Sequence, residues 1–218
     1  SIVNEDVEIL NEGIKEWWTA IINFFKRVWA AISSWFRKAW DWLTSKFQNA
    51  EKWWKANAKS IKVDSTEYNT YPAVAKGDIN KSSANFIAFD NIAEAEKKDV
   101  KKALDKWTAS QIFADYMGAD ARSDMKVSKA AVEKILVGSN TQMARLKQMN
   151  NRTAAGIKAG IKVAQAGLKT SNAAETKKLK NDVETGKAIL RWNKMLIGAW
   201  VKVDSVAISD AFGAAKKM

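Results

Sequence analysis

The sequence predicts an all-α, elongated protein built from several helices, and three features carry this prediction. Only one proline occurs in 218 residues, so few positions interrupt a helix. The front of the chain repeats aromatic and aliphatic residues at helical spacing. Near the carboxyl terminus, two further apolar stripes of the same period are separated by a short polar turn, which is typical of a helical hairpin.

The first element is a long amphipathic helix that begins near Asn4 or Glu5, where acidic residues suit the positive end of the helix dipole. We expect it to end near Lys59. Residues 14–57 divide into four units of eleven residues, IKEWWTAIINF, FKRVWAAISSW, FRKAWDWLTSK and FQNAEKWWKAN. Eleven residues make three turns, so the first, fifth and eighth positions form one nearly straight aromatic stripe. The aromatic stripe consists of Ile14, Trp18, Ile21, Phe25, Trp29, Ile32, Phe36, Trp40, Leu43, Phe47 and Trp54.

The sequence predicts three regions: the long helix over 1–60, a linker over 61–88 and a basic helical bundle over 89–218. The linker prediction depends on the only proline, Pro72, and on the Asn, Ser, Thr and Gly residues around it. Beyond the linker, four apolar residues at helical spacing predict a second amphipathic helix that ends near Gly118. These four are Ile92, Val100, Leu104 and Trp107.

The bundle region continues with a short helix and the hairpin. Ser128 is a favourable N-cap for a helix through Val137, and Gly138 follows it. One helix is then expected over 141–169, and a second follows the turn TSNA at 170–173. The apolar stripes of the two helices hold Met143, Leu146, Met149, Ile157, Ile161 and Leu168 in the first, and Leu179, Val183, Leu190, Ile197 and Val201 in the second.

Charge and composition narrow the function. The chain has 36 Lys and Arg against 24 Asp and Glu, a formal charge of +12, which favours anionic partners. Cysteine and histidine are both absent, which removes thiolate chemistry, disulfides and a histidine base. No phosphate-binding loop or nucleophile motif is present. We therefore predict a protein that is not an enzyme and uses no cofactor, metal or small-molecule substrate.

Two features of the helix expected over 141–169 suggest contacts with DNA or with another helix. A basic face without an intervening acidic residue could bind DNA phosphates regardless of sequence, although a solvated helix face explains the same residues. Its members are Arg145, Lys147, Arg152, Lys158, Lys162 and Lys169. A ridge of small residues, Gly156, Gly160 and Ala164, would let another helix approach closely.

The aromatic stripe is too wide to remain in water, and three ways of covering it are compatible with the sequence. The other helices of the chain, or further copies of it, could pack on the stripe. The helix could instead lie in a membrane interface, where Trp and basic residues are favoured. A different protein that surrounds the helix as a tube or shell is the third alternative.

The eleven-residue units, with the pattern F-x-x-x-W-x-x-I, resemble the repeats of tape measure proteins of long-tailed bacteriophages. The resemblance covers residues 14–57. It implies an elongated helical protein inside the virion, in the tail tube lumen or the head, that leaves with the genome. As one helix, 218 residues span at most about 330 Å. That length indicates a fragment or processed product, with Ser1 as a matured terminus, or a related internal or ejection protein.

The resemblance implies other virion proteins or further copies of the chain as partners. Nonspecific DNA and, during infection, the host membrane or envelope are additional expected partners. Two alternative functions remain from the residues alone. One is a membrane-active helical protein that forms a pore or assists translocation by inserting its Trp-rich helix. The other is a cationic protein that packs DNA without sequence preference.

Overall fold

The computed structural model describes residues 2–79 and 107–218, with side chains from residue 13 onward. The fold is all-α, with one small two-stranded sheet. In chain order its elements are α1 (Ile2–Asn57), a 3₁₀ turn (Ala58–Ser60), β1 (Ser65–Thr70), α2 (Pro72–Lys76), α3 (Ala109–Met117), β2 (Ser123–Ser128), α4 (Lys129–Leu136), α5 (Ser139–Lys169) and α6 (Ala173–Lys217).

Three long helices, α1, α5 and α6, form a stalk. The predicted hairpin is present as α5 and α6, and Asn172 caps α6 by accepting a hydrogen bond from the backbone N–H of Glu175 at 3.1 Å. Helix α1 lies antiparallel to α5. Trp18 packs against Gly167 and Phe25 against Gly160, so residue numbers rise along α1 as they fall along α5.

The remaining elements form a head at the end of the stalk that lies away from the turn between α5 and α6. Strands β1 and β2 pair in antiparallel register, with Tyr68 opposite Met125. Helices α2, α3 and α4 pack on the carboxyl-terminal half of α6 and the end of α1. The core of the head is formed by buried apolar side chains that include Trp54, Val74, Ile112, Met117, Val127, Ile135, Val203 and Ile208.

The predicted linker is wrong for residues 61–79, because β1 and α2 lie within them. Pro72 begins α2 instead of marking an irregular segment, and Gly77 ends it in the left-handed conformation at φ 70°. Strand β1 is polar, and its partner β2 lies more than fifty residues further along the chain. A local pattern therefore could not reveal the pairing. Residues 80–88 lie outside the described residues.

The division into regions 1–60 and 89–218 also needs correction, because α1 shares its core with α5 and α6 along the stalk. The predicted end of the second amphipathic helix near Gly118 is confirmed, since α3 stops there with φ 82°. The inclusion of Trp107 in that helix is wrong, because the extended Thr108 caps the start of α3. The other predicted apolar residues of that helix, Ile92, Val100 and Leu104, lie outside the described residues. The short helix after Ser128 is present as α4, and the Ser128 hydroxyl accepts from the N–H of Ala131 at 3.0 Å.

Candidate interaction surfaces

The aromatic stripe is covered by the chain's own helices. Near the hairpin turn it packs with apolar residues of α5 and α6, among them Ile157 and Val183. Toward the head it packs with a second cluster that includes Leu146 and Trp192. The buried members of the stripe are Trp18, Ile21, Phe25, Ile32, Phe36, Leu43, Phe47 and Trp54, and the half-buried ones are Ile14, Trp29 and Trp40.

Two glycines of α5 receive aromatic side chains of the stripe. A Cβ atom on Gly160 would lie 2.6 Å from Cζ of Phe25, and one on Gly167 would lie 2.2 Å from Cε2 of Trp18. Gly160 and the buried Ala164 of the predicted ridge thus face the inside of the stalk. Gly156 is exposed, with open space where a Cβ would stand.

Gly167 belongs to the contact with α1, although the sequence analysis did not include it. It lies seven residues after Gly160, and Trp18 lies seven residues before Phe25. The same spacing on both helices, two turns, was the signal that could have identified the pair. Aromatic side chains of α1 therefore enter gaps that the glycines leave on α5.

One of the predicted DNA contacts is wrong, because Arg145 turns inward. Its Nη2 donates to Oδ1 of the fully buried Asp204 at 3.3 Å, and its Nη1 donates to the carbonyl of Ile79 at 3.2 Å. Its guanidinium also stacks on the ring of Trp200 at 4.8 Å. Asp204 lies 59 residues away in sequence, so local charge counting could not predict the pair. The other predicted basic residues, Lys147, Arg152, Lys158, Lys162 and Lys169, lie on the surface of α5.

The Arg145 pair is the centre of a buried polar cluster at the base of the head. Burial raises the pKa of Asp204 to about 7, and the charge of Arg145 opposes that rise. Burial also raises the pKa of Tyr116, whose ring lies 5.4 Å from the Arg145 guanidinium. One turn before Arg145, both amide atoms of the buried Gln142 lack a hydrogen-bond partner. These groups lie between apolar helices, so the cluster is sensitive to changes in charge.

A second polar cluster holds the strands on α6. The carboxylate of Asp210 accepts from the Thr70 hydroxyl at 2.7 Å and from Nε and Nη2 of Arg122 at 3.1 and 3.2 Å. The hydrogen bond to Asp210 raises the pKa of Arg122. Nearby, the ring of Tyr68 lies directly on Gly213 of α6. This arrangement connects β1, the β2 end and α6, and no sequence motif predicted it.

The surface of α1 also carries two exposed tryptophans outside the aromatic stripe. Trp35 is 39% exposed and Trp42 is 48% exposed. Trp35 lines an open groove of about 580 Å³ between α1 and α6, whose other wall holds Arg191 and Lys194. The Nζ atom of Lys46 lies 4.7 Å from the ring of Trp42. We call this groove between α1 and α6 the Trp35 groove.

Within 2–79 and 107–218, no helix has the length and apolar character needed to cross a bilayer. Among the side chains of 13–79 and 107–218, no group of three or more Asp and Glu residues is arranged to bind a metal ion. Comparisons with models of known protein families, with curated proteins and with solved structures give no match to this chain. A functional assignment therefore depends on the residues and their geometry.

Proposed function

We propose that this chain is a non-enzymatic internal protein of a bacteriophage particle, either tape-measure-like or ejected with the genome. The observation that carries the proposal is the eleven-residue repeat of residues 14–57. It resembles tape measure proteins over three successive units, the first of them a softer copy, and a fourth unit is degenerate; Phe25, Trp29 and Ile32 form one full copy of the pattern. A structural role inside a particle requires a stable shape and interaction surfaces, and it needs no catalytic group.

The packing of the stripe supports a stored, closed form. Buried Trp and Phe side chains between α1 and α5 leave most of the repeat unavailable to other molecules. The exposed residues of α1 between members of the aromatic stripe are largely basic or polar, for example Lys26, Arg27, Arg37 and Lys38. A basic surface is compatible with confinement beside packaged DNA, whose phosphates attract it without sequence preference.

The membrane alternative requires a different conformation. To insert the aromatic stripe into an interface, α1 would have to separate from α5 and α6 and expose side chains such as Trp18 and Leu43, which are fully buried. The DNA-packing alternative loses Arg145 but retains the exposed lysines of α5. Membrane insertion or DNA packing could each follow storage in a particle. We therefore retain both as secondary candidates behind the virion role.

Mass spectrometry of purified particles tests the proposal. Particles induced from the host that encodes the chain would be purified by density gradient, treated with protease on the outside, and digested for peptide detection. We expect peptides from 14–57 and from α6 in protease-treated particles, together with a defined amino terminus. Particles emptied of DNA in vitro should lose them.

Two controls make the result interpretable. A capsid protein must persist in both full and emptied particles, and an abundant host protein must disappear after protease treatment. If the chain is absent from full particles while the capsid protein is detected, the virion role is wrong. If it is present only before protease treatment, the internal location is wrong.

A further inference from the structure

The Trp35 groove combines an aromatic ring with the positive charges of two exposed side chains. Its α1 wall holds Ile32 and Trp35, and its α6 wall holds Arg191, Lys194 and Met195. Both cations are exposed, and neither makes an ion pair with any described residue. None of the described residues that line the groove is acidic, so the charges of Arg191 and Lys194 suit an anionic ligand.

Small residues of three helices help to keep the groove open. Gly198 has free space at the position of a Cβ, and an alanine lies at each of the positions 31 and 109. Larger side chains at these three positions would narrow the space over the Trp35 ring. The volume of about 580 Å³ falls within the roughly 300–1,000 Å³ that is usual for sites that bind small organic groups.

The ring of Trp35 differs from the other partly exposed tryptophans near cations. Each of those rings is covered by a cation: Trp42 by Lys46, Trp17 by Lys180 and Trp200 by Arg145. Among the described residues, no ring or cation stacks on Trp35. The ring of Trp35 therefore remains accessible beside the exposed side chains of Arg191 and Lys194.

A ring face and adjacent cations define the chemistry of the ligand. A nucleobase can stack on Trp35 while the phosphate of the same or the next nucleotide contacts Arg191 or Lys194. A base in a duplex is already stacked on both faces, so the groove suits a single strand. A lipid surface is flat and would engage projecting side chains better than a ring that lines a groove.

We propose that the Trp35 groove binds single-stranded nucleic acid without sequence preference, through base stacking on Trp35 and phosphate contacts with Arg191 and Lys194. This site goes beyond the virion role and does not depend on it, because binding can be measured on the purified chain. It also differs from the lysine face of α5, a helix that contains no aromatic residue.

Fluorescence anisotropy with a dye-labelled oligothymidylate tests the site on the full chain. Trp35→Ala should weaken binding by about tenfold, and Trp35→Phe should recover part of that loss because it retains a stacking ring. The double variant Arg191→Ser with Lys194→Ser should weaken binding and reduce the dependence of affinity on salt by about two phosphate contacts. The matched control is Lys158→Ser with Lys162→Ser, which removes the same charge from α5 and should have the smaller effect.

The following outcomes would contradict the proposed binding site. If the unmodified chain does not bind the oligonucleotide at low salt, the site is wrong. If Trp35→Ala binds as tightly as the unmodified chain, or the two double variants are equally weakened, binding reflects overall charge. If a duplex of the same length binds as well and with the same sensitivity to Trp35→Ala, single-strand stacking is excluded. If vesicles containing anionic lipid bind the chain through Trp35 while the oligonucleotide does not, the groove recognises a membrane. Circular dichroism and thermal melts verify that each variant is folded.

Discussion

Gly167 and Gly160 control how closely α5 approaches α1. The ring of Trp18 occupies the place where a side chain on residue 167 would stand, and Trp18 is fully buried. An added methyl group must displace either the indole ring or the α5 backbone, and overpacking of this kind typically costs about 1–3 kcal/mol. Phe25 contacts Gly160 through the end of its ring, which can move more easily.

We predict that Gly167→Ala lowers the free energy of unfolding by about 1–3 kcal/mol, and Gly160→Ala by less. Gly156→Ala is the matched control on the same helix. It has room for a methyl group, so it should raise stability by about 0.5–1 kcal/mol through helix propensity. Urea unfolding followed by circular dichroism measures all three. Equal stability of the Gly167 and Gly156 variants would contradict the contact with Trp18.

The buried carboxyl group of Asp204 makes the free energy of unfolding depend on pH. Its pKa is raised to about 7 in the folded chain, against an ordinary value of 3.8. Between these two values the folded state retains a proton that the unfolded state releases. The stabilising contribution of the protonated carboxyl is therefore complete below about pH 4 and is lost as pH rises to about 7.

We predict that the free energy of unfolding falls between pH 5 and pH 7 in the unmodified chain relative to Asp204→Asn. The difference should change by at most about 1.4 kcal/mol per pH unit. Guanidinium unfolding at several pH values measures it, with the exposed Asp124→Asn as control for general titration. A difference that stays constant across this range would contradict the raised pKa.

At the scale of elements, the β1–β2 pair depends on α6 because a single isolated pair of strands is marginally stable. The carboxylate of Asp210 receives hydrogen bonds from Thr70 at the end of β1 and from Arg122 just before β2. Thr70 is fully buried, so loss of its acceptor leaves a hydroxyl without a partner. Asp210 is thus one of the side chains that hold the strands on α6, together with Tyr68, which packs on Gly213.

We predict that Asp210→Ala destabilises the chain by about 2–4 kcal/mol and increases amide hydrogen exchange in β1 and β2. Asp124→Ala serves as the control, because its exposed hydrogen bond with Asn69 contributes about 0.5 kcal/mol or less. Hydrogen exchange read by mass spectrometry separates the two. Unchanged exchange of residues 65–70 in Asp210→Ala would contradict the role given to Asp210.

At the scale of the whole molecule, α1 sets the length of the protein. Its 56 residues extend about 84 Å at 1.5 Å per residue, and α5 and α6 accompany it for much of that distance. A compact domain of 218 residues would have a radius of gyration of about 17 Å. The stalk also keeps the aromatic stripe covered along its length, which separates this closed form from any membrane-bound form.

We predict a radius of gyration of about 24 Å in small-angle X-ray scattering, the value of a uniform rod as long as α1. The sample should be monodisperse by light scattering so that association does not mimic elongation. A radius near 17 Å would show that α1 does not remain extended in solution.

Much of this organisation could be predicted from local pattern. The eleven-residue period identified α1 and its buried face, because a helix repeats its environment every few residues. Caps and breakers located α4 and the hairpin, through Ser128 and the turn before Ala173. These signals depend on neighbours a few residues apart, and the sequence displays them directly.

Tertiary structure decided what lies against each face. The sequence by itself determined that the aromatic stripe must be covered, since its apolar area is too large for water. Only the folded chain showed that Gly160 and Gly167 of α5 receive it, that Arg145 turns inward to Asp204, and that a polar segment becomes β1. Each of these partnerships joins residues 53 or more positions apart, where spacing along the chain carries no information on distance.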